Sequence, residues 1–179
     1  MKKGLETVLI WLTFFFIFLI PVRDTDFGWH YRCGKELFEN HQLCQTNTFT
    51  TLLPNYRWDS PAHTYQLLIY FIYDAVGFPG LAVFYGLLSS VIFTAFAKSF
   101  GKNELLNSAI SLLAIWFSWS IFSLGMRSQI LSIYFLILFL VVIRVSQTNK
   151  KALYILPVLS LIWANSHSGF FLGPAVMAF

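Results

Sequence analysis

The sequence predicts an all-α protein: a polytopic bundle of transmembrane helices with an amphipathic juxtamembrane helix in its first extracytoplasmic loop. Three observations predict it. Of 179 residues, 57% are hydrophobic and 11% are charged, less than half the charge of an ordinary soluble domain. The apolar residues gather in uncharged runs on the scale of the roughly 20 residues that cross a bilayer. The charges gather too: of 20 Asp, Glu, Lys and Arg, nine lie in the 40 residues from Arg23 to Ala62. This composition excludes a soluble globular domain, a disordered chain and a disulfide-dense secreted module, and no nucleic-acid partner is expected.

The first apolar run covers residues 5–22, preceded by Lys2 and Lys3. A signal peptide has the same opening, but no small-x-small cleavage site follows, so an uncleaved helix is expected. Residues 23–62 form the polar loop. Residues 63–75 are apolar on average but too short to span comfortably, and read as an interfacial or re-entrant helix. Residues 80–97, 105–126, 128–145 and 152–164 are expected to cross. Residues 169–179 start a further span without a polar flank, so the chain is expected to be the amino-terminal part of a longer membrane protein, with its remaining carboxy-terminal part as a partner.

Orientation follows from the basic joints. Lys2 and Lys3, Lys98 and Lys102, and Arg144, Lys150 and Lys151 belong in the cytoplasm by the positive-inside rule. One crossing between His63 and Lys98 satisfies that rule if the polar loop is outside. The loop, the joint around Arg127 and the turn Asn165–Gly169 then share the extracytoplasmic face.

Within the loop, Phe27, Tyr31, Gly34, Leu37, Phe38 and His41 fall near one helical face, while Arg32, Lys35, Glu36 and Glu39 fall near the other. Asp24 and Asp26 precede this helix. Their plain reading is a solvated helix cap beside Arg23. Their functional reading is a carboxylate held at the membrane surface, able to take a proton from a hydroxyl or to bind a divalent ion that neutralises phosphate. His30-x2-Cys33 and His41-x2-Cys44 hint at zinc, but the composition and spacing differ from structural zinc motifs. A Cys33–Cys44 disulfide and two free thiols are both open, and no residue is assigned as a metal ligand.

Arg127 stands alone between two apolar runs. It is either a snorkelling orientation signal or, with Gln129, a phosphate-binding arginine. His167 is either part of a helix-breaking turn or a donor to a phosphate or sugar. Trp29, Tyr56, Trp58 and Trp163 read as interfacial belt residues that could also stack on a sugar.

The order of these motifs resembles the GT-C class of integral membrane glycosyltransferases, which use polyprenyl-phosphate sugars, and more closely its bacterial members of unknown substrate. The matching residues are Asp24, Asp26, Trp29, His30 and Gly34, then Asn47 and Trp58, then Arg127 and Gln129, then Trp163, Asn165, His167 and Gly169. Gly28, in place of a second large residue, and Ser128, in place of Pro, depart from the pattern. The resemblance implies an enzyme of the bacterial inner membrane that moves a sugar from a lipid-linked donor to an acceptor hydroxyl on the extracytoplasmic face. It implies Asp26 or Asp24 as the base. It implies substrate contacts from His30, Trp29, Trp58, Arg127, Gln129, Asn165 and His167, with Arg127 and His167 toward phosphate. Membrane lipid is the surrounding partner, and no cofactor beyond a divalent metal is implied. A transporter or flippase-like protein is the competing expectation, since polar breaks such as Asn165–Gly169 also occur where substrates cross. A non-catalytic assembly subunit is the third.

Overall fold

The computed structural model describes residues 2–46, 51, 56–57, 60–101 and 103–177. These residues are helical with short connections: α1 (Lys2–Ile17), α2 (Phe27–Glu39), α3 (His63–Ser99), α4 (Glu104–Phe117), α5 (Trp119–Phe122), α6 (Ser128–Ser146), α7 (Ile155–Ala164) and α8 (Leu172–Met177), with 3-10 turns at Lys150–Tyr154 and Ser168–Phe171. Among the described residues no strand forms, and Thr46 and Arg57 make an isolated antiparallel bridge across the polar loop. Two helices, α3 and α6, are long and apolar enough to cross a membrane.

Several boundaries differ from expectation, each for a local reason. Helix α1 stops at Ile17 rather than Val22. Pro21 has no N–H and disfavours helix in the residue before it; the Ile20 N–H turns back to the Phe18 carbonyl at 2.8 Å and the chain continues without regular structure to Asp24. The expected crossing 105–126 is two helices, because the chain leaves helical geometry at Ser118 (φ −101°, ψ 15°). The expected 152–164 helix begins as the 3-10 turn. Pro157 removes the donor for the Leu153 carbonyl, so regular α geometry starts only at Ile155. Residues 169–179 likewise open as a 3-10 turn before α8.

The segments 63–75 and 80–97 are one interrupted element. A straight helix of 37 residues would be about 55 Å long, far beyond a hydrocarbon core of about 30 Å. Gly77 breaks it, at φ 65° and ψ −163°. Pro79 follows at once, leaving the Ala75 carbonyl without its donor. The arms 63–76 and 78–99 then converge again. Leu68 and Phe71 from the first, with Phe84 and Leu88 from the second, line one apolar cavity of about 440 Å³ against α6.

Helix α2 packs on the first arm through its apolar side. Its buried residues are His30, Cys33 and Gly34, spaced i, i+3 and i+4 as one face of a helix requires. A Cβ at Gly34 would lie 2.1 Å from the Gln66 carbonyl oxygen, so only glycine permits this approach. Phe27 and Tyr31 continue the seam onto Tyr73 at ring distances of 5.1 and 5.0 Å. The helix closes at Asn40, and His41 turns the chain with a left-handed φ of 54°. Cys33 and Cys44 form a disulfide with 5.4 Å between Cα atoms. This settles the open cysteine question and removes both thiolates from the suggested zinc site.

The core is aromatic. Phe18, at the end of α1, meets Tyr85, Phe93 and Phe122 at ring distances of 5.3, 5.4 and 5.3 Å. The Tyr85 hydroxyl donates to the Phe122 carbonyl at 3.1 Å, satisfying a polar group that burial would otherwise penalise. The connections separate into two ends. At one end the Thr7 hydroxyl donates to Glu104 at 3.1 Å, and Arg144 Nε donates to the Ser99 carbonyl at 3.3 Å. At the other end the polar loop, the joint before α6 and the turn after α7 come together. Outward faces are apolar, with Trp116, Phe117 and Tyr154 each at least 76% exposed.

Candidate functional site

The site is built where three connections meet. The first is fixed to the second by backbone. The Arg23 N–H donates to the Leu124 carbonyl at 2.9 Å. Gly125 then turns at φ 78°, close enough to the first connection that a Cβ would lie 2.8 Å from the Pro21 carbonyl oxygen. This contact delivers Arg127 to the acids. Its Nε lies 3.2 Å from Asp24 Oδ1, and its Nη2 lies 3.6 Å from Asp26 Oδ2. The Nε–H is not aligned on the carboxylate, so the closer contact is Coulombic rather than a well-formed hydrogen bond.

The two acids occupy different environments. The Asp24 side chain is 2% exposed and that of Asp26 is 47% exposed. Asp24 Oδ1 accepts from the Asp26 N–H at 3.2 Å, and the Asp24 carbonyl accepts from Phe27 N–H at 3.3 Å, which folds the chain into the turn that starts α2. Asp26 is the N-cap residue by position but its side chain makes no capping hydrogen bond. The solvated-cap reading therefore fails for the buried Asp24, while the half-exposed Asp26 keeps the cap position without a capping hydrogen bond. Burial raises the Asp24 pKa, outweighing the Asp26 amide and the Arg127 charge, which lower it.

His30 follows one turn into α2 and is 4% exposed. Its ring meets Tyr65 edge-on at 4.8 Å, and the Tyr65 hydroxyl donates to the Met126 carbonyl at 3.0 Å, beside Arg127. Burial holds His30 well below the ordinary imidazole range, at about 4. The Asp26 charge works against this, and the charges of Arg127 and His167 work with it. The sign for stability follows. Between pH 4 and 6.5 the unfolded chain binds more protons at this position than the folded one, so stability rises with pH through that window and is complete above it. We expect acidification from pH 7 to 4.5 to cost on the order of 2 kcal/mol in wild-type protein and much less in His30→Gln. Thermal unfolding at the two pH values checks this.

The third connection arrives through the backbone: the Thr64 N–H donates to the Asn165 carbonyl at 2.7 Å. His167 is half-buried, and burial lowers its pKa. Its Nδ1 accepts from the Gly169 N–H at 3.0 Å and lies 2.8 Å from Ser132 Oγ.

Asp24, Asp26, His30, Arg127 and His167 thus share one electrostatic neighbourhood. The other expected residues are placed differently. Trp29 is half-buried with its ring against that of His30 at 3.5 Å. Gln129 is exposed on the first turn of α6 and accepts from Ser128 Oγ at 3.3 Å. Asn165 uses its side-chain amide to close α7, donating to the Leu161 carbonyl at 2.9 Å. Trp163 is not a belt residue: it is fully buried, and its indole N–H donates to Ser132 Oγ at 2.8 Å. Trp58 and Asn47 lie outside the described residues.

Sequence reasoning missed Ser132 and Tyr65. Ser132 is one hydroxyl in an apolar helix, 35 residues from His167, and no local pattern pairs them. As for metal, no group of three His, Cys, Asp or Glu side chains converges among the described residues. Asp24 already faces Arg127 and an amide, so the acids do not fit a divalent cage and no step is derived through one. Comparison with known proteins finds no family model, no curated protein and no solved structure that matches this chain.

Proposed function

We propose that the chain is a polytopic, integral membrane glycosyltransferase segment of the GT-C type, moving a sugar from a polyprenyl-phosphate donor to an acceptor hydroxyl at its extracytoplasmic end. The observation that carries the reading is the meeting of two loop carboxylates with Arg127 at 3.2 and 3.6 Å, one acid buried and the other half-exposed. Asp26 is the base, because it alone of the pair is open to an acceptor. Asp24 and Arg127 orient it.

The chemistry is a single displacement. The acceptor oxygen forms a bond to the anomeric carbon as its proton passes to the Asp26 carboxylate. The bond from that carbon to the phosphate oxygen breaks, and its electron pair leaves with the polyprenyl phosphate. Ionised Asp24, Asp26 and Arg127 together carry a net charge of −1. Proton uptake by Asp26 makes the group neutral as charge develops on the leaving phosphate, so repulsion falls when it matters. Arg127, alongside its contacts to the acids, and the His167 ring are the donors assigned to that phosphate in this reading.

The charge asymmetry that oriented the sequence, and the disulfide, support the membrane placement. Lys3, Lys98, Arg144, Lys150 and Lys151 lie at the end opposite the acids, the side the positive-inside rule gives to the cytoplasm, while Arg23, Arg32, Lys35 and Arg57 lie in the polar loop among its acids. The disulfide belongs in an oxidising compartment, on the same end as Asp24 and Asp26.

The test is transfer by the whole protein, reconstituted in vesicles with a panel of polyprenyl-phosphate hexoses and pentoses. Wild type should release polyprenyl phosphate, and Asp24→Asn, Asp26→Asn should lose at least about 100-fold. Full activity in that double variant would remove the proposed base. Movement of lipid across the bilayer without sugar transfer would establish the flippase reading instead.

A further inference from the structure

The hydrogen bonds around His167 have fixed directions. A backbone amide can only donate, so the Gly169 N–H on Nδ1 requires that Nδ1 carry no proton. The neutral ring then holds its proton on Nε2. An indole N–H can also only donate, so Ser132 Oγ accepts from Trp163 Nε1 at 2.8 Å. The Ser132 hydroxyl can then donate to Nδ1 at 2.8 Å, sharing the single lone pair of that nitrogen with the Gly169 N–H. The fixed donors at the two ends, Gly169 N–H and Trp163 Nε1–H, favour one arrangement of the relay Trp163 to Ser132 to His167, with the ring proton on Nε2.

We propose that Ser132, with Trp163 behind it, is a positioning residue that holds His167 as an Nε2–H donor toward a phosphate monoester. This rests on the transferase reading for the identity of the phosphate, a lipid-linked one, but the tautomer does not depend on it.

Three features support the assignment. The relay is built without slack: a Cβ at Gly169 would lie 2.8 Å from Ser132 Oγ and 3.1 Å from His167 Nδ1. Trp163 is fully buried between Phe135 and Phe139, at ring distances of 5.7 and 5.5 Å, so its N–H cannot turn elsewhere. Burial also disfavours a second proton on His167, and the ring is near enough to His30 for their charges to oppose one another. A neutral donor suits this place. It adds a hydrogen bond for the leaving oxygen without adding a cation to compete with Arg127 for Asp24 and Asp26.

Histidine-selective nitrogen NMR on the full chain in nanodiscs, with His167→Gln to assign the signal, reads the tautomer directly. The expected result is protonated Nε2 and a hydrogen-bonded, unprotonated Nδ1 at neutral pH. A ring protonated at Nδ1 would overturn the proposal. The second measurement is affinity for a short-chain polyprenyl phosphate. Ser132→Ala should bind about tenfold more weakly, and Ser132→Thr, which keeps the hydroxyl, should stay within about twofold of wild type. Unchanged affinity in Ser132→Ala would overturn the positioning role. If that variant fails to fold, Trp163→Phe gives a second comparison, since it keeps a buried aromatic and loses the donor together with part of the indole volume. Binding without any sugar transfer would leave the relay standing and remove the transferase reading. Transfer that is indifferent to Ser132→Ala would do the reverse.

Discussion

Arg127→Met is expected to abolish the proposed transfer and to destabilise the protein by about 3 kcal/mol, the range seen when one partner of a buried ion pair is removed. The loss comes from Asp24. With its side chain 2% exposed and its pKa already raised by burial, the carboxylate depends on the guanidinium to remain ionised inside the fold. Without that charge Asp24 must either take a proton or draw water in, and Asp26 loses the contact that aims it. The destabilisation carries its own control. Adding Asp24→Asn to Arg127→Met removes the stranded charge and should restore about half of the lost stability while restoring no activity. Thermal unfolding in detergent, beside the transfer assay, separates these effects. Arg127→Met as stable as wild type would show that Asp24 does not rely on the pair.

The second large effect is expected at a residue with no chemistry. Gly125→Val should cost more than about 3 kcal/mol. A β-branched residue at φ 78° is strained by about 1–2 kcal/mol, and its Cβ would collide with backbone, 2.8 Å from the Pro21 carbonyl oxygen. Backbone cannot move aside as a side-chain tip can. The contact also sets the register between Arg23 and Leu124, so Arg127 would leave Asp24 and activity would fall with stability. Gly28→Ala is the matched control: nothing lies within 4 Å of a Cβ there, and the change should be within about 0.5 kcal/mol of neutral. Equal behaviour of the two variants would refute the account of Gly125.

The contrast between these glycines shows what was legible in the sequence. Periodicity and charge located α2 and α6 to within a residue or two at most ends, because a sustained apolar pattern and a polar boundary are local properties. Proline and serine interruptions were harder. Pro21, Pro79 and Pro157 were visible, but how far each would shift a helix end depends on which carbonyl loses its donor and what replaces it. The site divided in the same way. Asp24, Asp26, Arg127 and His167 stood out as polar residues in an apolar chain. That Arg127 would lie against the two acids, rather than stand free for phosphate, was not legible, since it follows from a backbone hydrogen bond between Arg23 and Leu124. Ser132 was hidden for the opposite reason: a lone serine in a helix commonly bonds its own backbone, and only the arrival of Trp163 and His167 gives it another task.

The ion pair also dictates an order of events during synthesis. About a hundred residues separate Asp24 from Arg127, so at ordinary elongation rates the acid leaves the ribosome roughly 5–20 s before its partner exists. For that interval Asp24 has no guanidinium to enter the interior with, and it remains hydrated. The ion pair can form only when the joint before α6 arrives, which makes the end that carries Asp24 and Asp26 one of the last parts of the described chain to become native. Slowing or pausing translation between these residues would prolong a state in which the acids are present and undirected.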